Sequence, residues 1–250
     1  MTLSSNERSF DALRARLDAA GLNLVGCAAV AAYDAAVPAA LAIAPVSPAA
    51  RTAVVIGNGG RALWTRFSRA RGHGGRAGPG RSAHPLDEYT RAVVGAALGP
   101  LPPGARVLWP FLDAEPRVSF VHLAECAGLG RPSLLGVLVH PEYGPWFALR
   151  AAVLLPFGLD APRPADGFDP CGRCLERPCR AACPAAAVGP TGFDRARCAA
   201  ERLAAHPDAC ASGCHARVAC THGRAHRYPD EALAFHQAAA RAAMARWRPG

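Results

Sequence analysis

Residues 171–184 read CGRCLERPCRAACP and hold four of the ten cysteines in this 250-residue chain. Eight of the ten lie between Cys171 and Cys220, and only Cys27 and Cys126 lie outside that segment. The N-terminal sequence MTLSSNERSF lacks the basic start and apolar run of a secretory signal, and no apolar run is long enough to span a membrane. We therefore expect a reducing, cytoplasmic location without membrane association, where clustered cysteines bind metals more often than they form disulfides.

The spacing Cys-x2-Cys-x4-Cys-x3-Cys-Pro is close to the bacterial ferredoxin run, in which the middle spacing is x2. In that run three thiolates surround one iron–sulfur cluster, while the cysteine before the proline points at a second cluster. A module with two clusters needs four further ligands, and the chain has four more cysteines downstream. The spacing therefore predicts two [4Fe-4S] clusters. The predicted ligands are Cys171, Cys174, Cys179 and Cys220 for the first cluster, and Cys183, Cys198, Cys210 and Cys214 for the second.

Two zinc sites are the main alternative, because four thiolates also suit tetrahedral zinc. Zinc ribbons usually carry two matched Cys-x2-Cys pairs, whereas the Cys-x3-Cys-Pro ending is typical of iron–sulfur ligation. Free thiols or disulfides are the third interpretation. Arginines that interleave with the ligands are either a solvated surface or groups that offset cluster charge; they are Arg173, Arg177, Arg180 and Arg217.

Ahead of the cysteine-rich segment, buried-strand patterns alternate with amphipathic helical patterns, which is typical of an α/β layered domain. The predicted strands are 22–30, 52–58, 105–111, 134–140 and 146–156, and the predicted helices are 5–20, 61–70, 84–97 and 118–127. After residue 165 the composition shifts to short cysteine-bearing turns. We expect a domain at 1–165, a ferredoxin-like module at 166–228 and a C-terminal helix at 229–250.

The chain is strongly basic, with a formal net charge of +9, and all 28 of its positive side chains are arginine. Without lysine, the chain cannot form a Schiff base or provide the lysine of a P-loop, which excludes pyridoxal phosphate enzymes and P-loop NTPases. The charge excess is compatible with an anionic ligand or with tRNA.

Two segments resemble known families. Residues 135–156, LGVLVHPEYGPWFALRAAVLLP, resemble the signature of CblC-type cobalamin-processing proteins. Residues 123–130, LAECAGLG, and the preceding Asp113-x-x-Pro116 resemble motifs of epoxyqueuosine reductases, in which a dicluster ferredoxin module follows. The likeness covers roughly residues 105–225, and the chain lacks the C-terminal helical repeats of epoxyqueuosine reductases.

The resemblance implies a flavin-reductase-like (nitroreductase-like) α/β domain that holds a corrinoid, with cobalamin as the expected cofactor and flavin as an alternative. It places the corrinoid contacts in the CblC-like segment, at Gly136, His140, Tyr143, Gly144, Trp146 and Arg150. Each has a plainer interpretation: Gly144 as a turn, His140 as the end of a strand and Trp146 as core. Asp113 is the candidate catalytic proton donor, or else a helix cap before Pro116.

Three functions follow from these observations. The first is an iron–sulfur oxidoreductase that receives electrons from an external donor, such as a reductase, a flavodoxin or a ferredoxin. It would pass them to cobalamin, for removal of the upper ligand or reduction of a second substrate. The second is reduction of a modified tRNA nucleoside, as in epoxyqueuosine reductase. The third is not an enzyme: an electron carrier, or a cobalamin chaperone with structural zinc. The oligomeric state stays open, with a homodimer as one option.

Overall fold

The computed structural model describes residues 5–71, 84–111, 118–159, 167–204 and 210–246, with side chains from residue 10 onward. Contacts divide the chain into two compact units. Unit 1 comprises Met1–Leu129 and Ala148–Ala165, and unit 2 comprises Gly130–Phe147 and Asp166–Gly250. The second unit therefore takes in a segment that lies well before the cysteines, while the predicted boundaries at residues 165 and 228 stay predictions.

Helices and strands occupy the following ranges in chain order. The helices are α1 (Ser5–Ala19), α2 (Val30–Ala36), α3 (Ala62–Arg71), α4 (Pro85–Leu98), α5 (Phe120–Cys126), α6 (Pro178–Ala181), α7 (Arg195–Leu203), α8 (His215–Ala219) and α9 (Asp230–Arg246). The strands are β1 (Leu24–Ala29), β2 (Thr52–Gly59), β3 (Arg106–Leu108), β4 (Arg131–Pro132), β5 (Leu138–Val139) and β6 (Phe147–Leu155).

Unit 1 is built on a four-stranded sheet with the order β1-β2-β6-β3. The pairs β1–β2 and β3–β6 are antiparallel, with Gly26 opposite Val55 and Val107 opposite Val153. Every residue of β2 is buried, as expected of a central strand with the continuous apolar sequence TAVVIGNG. Helix α1 packs against α4, and α5 contacts β1.

The end of α1 shows how sequence sets a boundary in unit 1. Gly21, with φ of +85°, stops the helix, and a Cβ at this position would lie 2.9 Å from backbone atoms of Ala62 and Leu63. The left-handed conformation and the close approach both require glycine. This turn leaves Leu17 and Leu22 fully buried, and the predicted helix at 5–20 is confirmed within one residue at its C-terminal end.

In unit 2, the predicted strand at 134–140 is wrong except for β5. Leu135 instead packs with Cys179, Val188 and Ala216 in a small core. A turn at Gly136, where φ is +72°, buries the leucine without a strand. Glycine is also required by packing here, because a Cβ would lie 2.7 Å from the Phe193 ring. The apolar residues here belong to a core that is formed by loops. Their sequence pattern is the same as that of a buried strand, so periodicity alone does not distinguish the two.

The fold class is mixed α/β with a small antiparallel sheet, so the coarse prediction of an α/β sheet domain is confirmed. Elements are shorter than predicted at 105–111, where only β3 forms, and α2 occupies part of 33–50, where no element was expected. Within the described ranges, no helix is long and apolar enough to cross a membrane.

Candidate functional site

Four cysteines of unit 2 line one small cavity. Its cysteines are Cys171, Cys174, Cys179 and Cys220, the set predicted for the first cluster. Two short elements supply half of them, since Cys179 lies in α6 and Cys220 is the C-terminal cap of α8. Burial raises the pKa of the Cys179 thiol, and the charges of Cys220, Cys171 and Cys174 raise it further. The four sulfur atoms are therefore electrostatic neighbours.

The turn that opens this set is held by backbone hydrogen bonds. The Asp169 carboxylate accepts from the backbone N–H of Gly172 at 2.8 Å and of Cys171 at 3.2 Å. The Leu134 N–H donates to the Cys171 Sγ at 3.4 Å. Arg177, which lies within the x4 spacing, takes φ of +43° just before Pro178, a left-handed conformation that non-glycine residues seldom adopt.

A second cavity of unit 2, of about 250 Å³, is lined by the other four cysteines: Cys183, Cys198, Cys210 and Cys214. Burial raises the pKa of Cys198, and Cys214 and Cys183 raise it further, whereas Arg202 lowers it. The Ala187 N–H donates to the Cys183 Sγ at 3.4 Å. These four are the set predicted for the second cluster, although the cavity also takes in residues that the sequence did not single out.

All ten cysteines are free thiols. Across the ranges that the structure describes, no group of three or more histidine, cysteine, aspartate or glutamate side chains is arranged to hold one metal ion. The two sets of thiols line two cavities.

Arg202 was missed by the sequence analysis, although it lines the second cavity. It lies on α7 four residues after Cys198, and this i, i+4 spacing, which places both on one helix face, was the available signal. Its guanidinium donates to the Gln237 side-chain oxygen, and both residues are buried.

Of the interleaved arginines, Arg217 has a packing role. Its guanidinium lies 4.7 Å from the centre of the Trp146 ring and 5.1 Å from that of Tyr228, and its Nε donates to the Pro145 carbonyl at 2.9 Å. The Trp146 Nε1 and the Tyr228 hydroxyl are buried without a hydrogen-bond partner among the described residues. Trp146 also lines the second cavity.

The hairpin at 140–144 contains three of the predicted corrinoid contacts. His140 and Gly144 exchange backbone hydrogen bonds of 2.8 and 2.9 Å. The His140 Nδ1 accepts from the backbone N–H of Glu142 and Tyr143, and burial lowers the His140 pKa. Gly144, with φ of +57°, lies directly against the backbone of His222.

Tyr143 packs on the His226 ring, with 4.6 Å between ring centres. The hairpin therefore packs on the segment that follows Cys220. This packing gives Gly144 a structural reason to be glycine, and its role as a corrinoid contact stays a prediction.

Arg150 belongs to unit 1, whereas the other predicted contacts belong to unit 2. It is a buried residue of β6, and its Nε donates to the Asn58 Oδ1 at 2.7 Å. Burial raises the pKa of Asp87 on α4, and Arg150 counteracts that shift. Asn58 is a second residue that the sequence analysis missed. The candidate proton donor Asp113 lies outside the described residues.

Comparison of the sequence finds no matching family model and no matching curated protein. Comparison of the structure finds the fold among epoxyqueuosine reductases and CblC proteins, the families that the motifs resemble. The sequence identities are low, so this likeness concerns the fold.

Epoxyqueuosine reductase from Bacillus subtilis, solved with an aspartate-bearing catalytic loop swung out of the active site, gives a TM-score of 0.57. The identity is 15%, over 90% of this chain and 68% of that chain. The same enzyme class with a tRNA-Tyr stem loop gives 0.55 at 16% identity, over 90% of this chain and 68% of that chain. The B12-trafficking protein CblC of C. elegans, a human MMACHC homologue, gives 0.51 at 14% identity, over 96% and 95%.

Proposed function

We propose that this protein is an iron–sulfur oxidoreductase that holds two [4Fe-4S] clusters and passes electrons to a bound corrinoid. The reaction is reductive removal of the corrinoid's upper ligand or reduction of a second substrate. The observation that carries the proposal is the division of eight cysteines between two cavities, four to each. Four cysteine thiolates are the usual ligand set of a [4Fe-4S] cluster.

The Cys-x3-Cys-Pro ending of the first run supports clusters over zinc. A zinc ion draws four sulfur atoms to about 2.3 Å from one point. In a cubane cluster each thiolate binds a different iron atom, so the sulfur atoms lie further apart around a larger body. Each set of four thiols lines a cavity, and metal analysis distinguishes the two kinds of site.

The chain's own residues have defined tasks in this proposal. When bound, the clusters supply one-electron transfer, and the corrinoid supplies the cobalt at which the bond is broken. The N–H groups of Leu134 and Ala187 donate to one sulfur of each set, which orients the thiols and stabilises their ionised form. Asp113 is the proposed proton donor.

The corrinoid part is supported by the fold shared with the C. elegans B12-trafficking protein. The Trp146 Nε1 and the Tyr228 hydroxyl are buried donors without a partner among the described residues, and Trp146 lines the cavity that the proposal assigns to the second cluster. The proposed contacts stay Gly136, His140, Tyr143, Gly144, Trp146 and Arg150. Electrons are proposed to come from an external reductase, flavodoxin or ferredoxin.

Metal analysis after anaerobic purification tests the proposal. We expect about eight iron atoms and about eight sulfides per chain. Cys126→Ala, outside both sets, serves as the control and keeps that content. About two zinc atoms per chain with no iron would refute the proposal and favour a chaperone with structural zinc.

Titration with cobalamin, followed by visible spectroscopy, tests the second cofactor on the same sample. A spectral change that saturates near one equivalent is expected. If the clusters are intact and cobalamin causes no spectral change, the remaining interpretation is a ferredoxin-type electron carrier.

A second candidate is reduction of a modified tRNA nucleoside. The formal net charge of +9 favours it, and a structural neighbour was solved with a tRNA stem loop. Binding of tRNA with an affinity that falls steeply as salt rises would support this candidate. Cobalamin reduction by the loaded protein without tRNA binding would exclude it.

A further inference from the structure

The second cavity contains a buried positive charge. Arg202, in the last turn of α7, is 9% exposed and lines the cavity together with the four thiols. Its two terminal nitrogens donate to the Gln237 Oε1 and, at 3.6 Å, to the Met244 Sδ. Among the described residues, the ion pairs involve other arginines and not this one.

Gln237 is itself fixed, which makes the position of Arg202 specific. It is buried on α9, and its amide nitrogen donates to the carbonyls of Cys210 and Gly213. Because the amide nitrogen of Gln237 is held by these carbonyls, its side-chain oxygen faces the Arg202 guanidinium. The Gln237 side chain therefore links Arg202 to the loop that carries Cys210 and Cys214.

A buried guanidinium held by neutral groups is unfavourable unless an anion faces it. Arg202 lines the cavity together with the Glu201 carboxylate and the four cysteines, which would bind a cluster as thiolates. The first cavity differs in this respect. Arg177 lines the first cavity but is only half-buried, and Arg224, which lowers the pKa of Cys220, is exposed, so solvent screens both charges more than that of Arg202.

We infer that Arg202, oriented by Gln237, is the countercharge of the second iron–sulfur cluster and raises that cluster's reduction potential. The inference rests on the proposed function, because it requires a cluster in the second cavity. A fixed cation favours the reduced cluster, which carries one more negative charge than the oxidised one. Local charge is one of the properties that set cluster potentials.

Potentiometric titration of the purified holoprotein, followed by EPR, tests the inference. At a fixed potential near the midpoint, Arg202→Gln should lower the reduced-to-oxidised ratio of one cluster by about tenfold or more, a shift of about 59 mV for one electron. The other cluster should keep its wild-type potential. Arg202→Lys, which retains the charge, should restore most of the shift.

Arg197→Gln is the matched control, because it removes the same charge from the same helix. Arg197 is paired with Asp194, and its side chain is 64% exposed, so neither potential should move. Eight irons with unchanged potentials in Arg202→Gln would overturn this inference alone. Four irons or fewer in the wild-type protein would overturn the proposed function and, with it, the inference.

If Arg202→Gln loses the second cluster altogether, the lysine variant decides. Retention of about eight irons by Arg202→Lys supports a role for the charge. Loss of the cluster from both variants indicates a purely structural role and overturns the inference.

Discussion

Gly144→Ala is expected to destabilise unit 2, because the backbone around Gly144 leaves no room for a Cβ. An added Cβ would lie 2.2 Å from the His222 carbonyl oxygen, 2.5 Å from its carbon and 2.9 Å from the Gly223 nitrogen. All three are backbone atoms, so no side-chain rotation relieves the clash. The hairpin and the segment after Cys220 must move apart.

Two terms set the size of the effect. The left-handed conformation, with φ of +57° at Gly144, costs a non-glycine residue about 1–2 kcal/mol. Overpacking against a fixed backbone adds about 1–3 kcal/mol. The expected loss in the free energy of unfolding is therefore about 2–5 kcal/mol, measured by urea denaturation of the reconstituted protein.

Substitutions at two other glycines separate the conformational cost from the packing cost. Gly104 has φ of +80° but only one atom near its Cβ position, at 3.9 Å, so Gly104→Ala measures the conformational cost alone. Gly95, within α4, meets nothing within 4 Å, and Gly95→Ala should stabilise the protein by about 0.5–1 kcal/mol. A loss at Gly144 no larger than that at Gly104 would refute the packing argument.

Three further predictions concern the metal sites, pH and the core. Cys198→Ser should reduce the iron content from about eight to about four atoms per chain, and retention of all eight would remove Cys198 from the ligand set. Burial lowers the His140 pKa in the folded state, so its contribution to stability is complete above about pH 6.5 and is lost as pH falls through the lowered pKa. His140→Gln should flatten the decline in unfolding free energy between about pH 7.5 and 5.5, and an unchanged slope would contradict this. Leu123 is 0% exposed, so Leu123→Ala should lower the free energy of unfolding by about 2–5 kcal/mol. Leu175 is 92% exposed, so Leu175→Ala should change it by no more than about 0.5 kcal/mol. Equal losses of stability in thermal melts of the two variants would contradict the burial assignment.

The grouping of the cysteines was predictable because it follows the ferredoxin-type spacing, in which the cysteine before the proline belongs to the other set. A turn of two to four residues brings neighbouring cysteines together whatever the rest of the chain does. A cysteine before a proline begins a new direction, which separates Cys183 from Cys179. The cysteines that line the two cavities are the same two sets that spacing predicts. Binding of iron by these sets stays a prediction.

Other features depend on contacts between distant segments and were not predictable. Leu135 belongs to a core assembled from loops, and its apolar neighbours read equally well as a strand. Gln237 lies 35 residues after Arg202, so their pairing leaves no local pattern. Asn58 ends a strand whose apolar character dominates the pattern, while its partner Arg150 lies 92 positions later.

The path of the chain through unit 2 has a consequence for protein engineering. The chain enters this unit at Gly130, leaves it after Phe147 and re-enters at Asp166. A fragment that starts at residue 166 would lack Leu135 and would expose the apolar surfaces of Val188 and Ala216 that it covers. The segment that carries the eight cysteines therefore cannot be transferred on its own as a self-contained module. Transfer of this unit to another protein would require two separate segments, residues 130–147 and residues 166–250, each joined to the new scaffold.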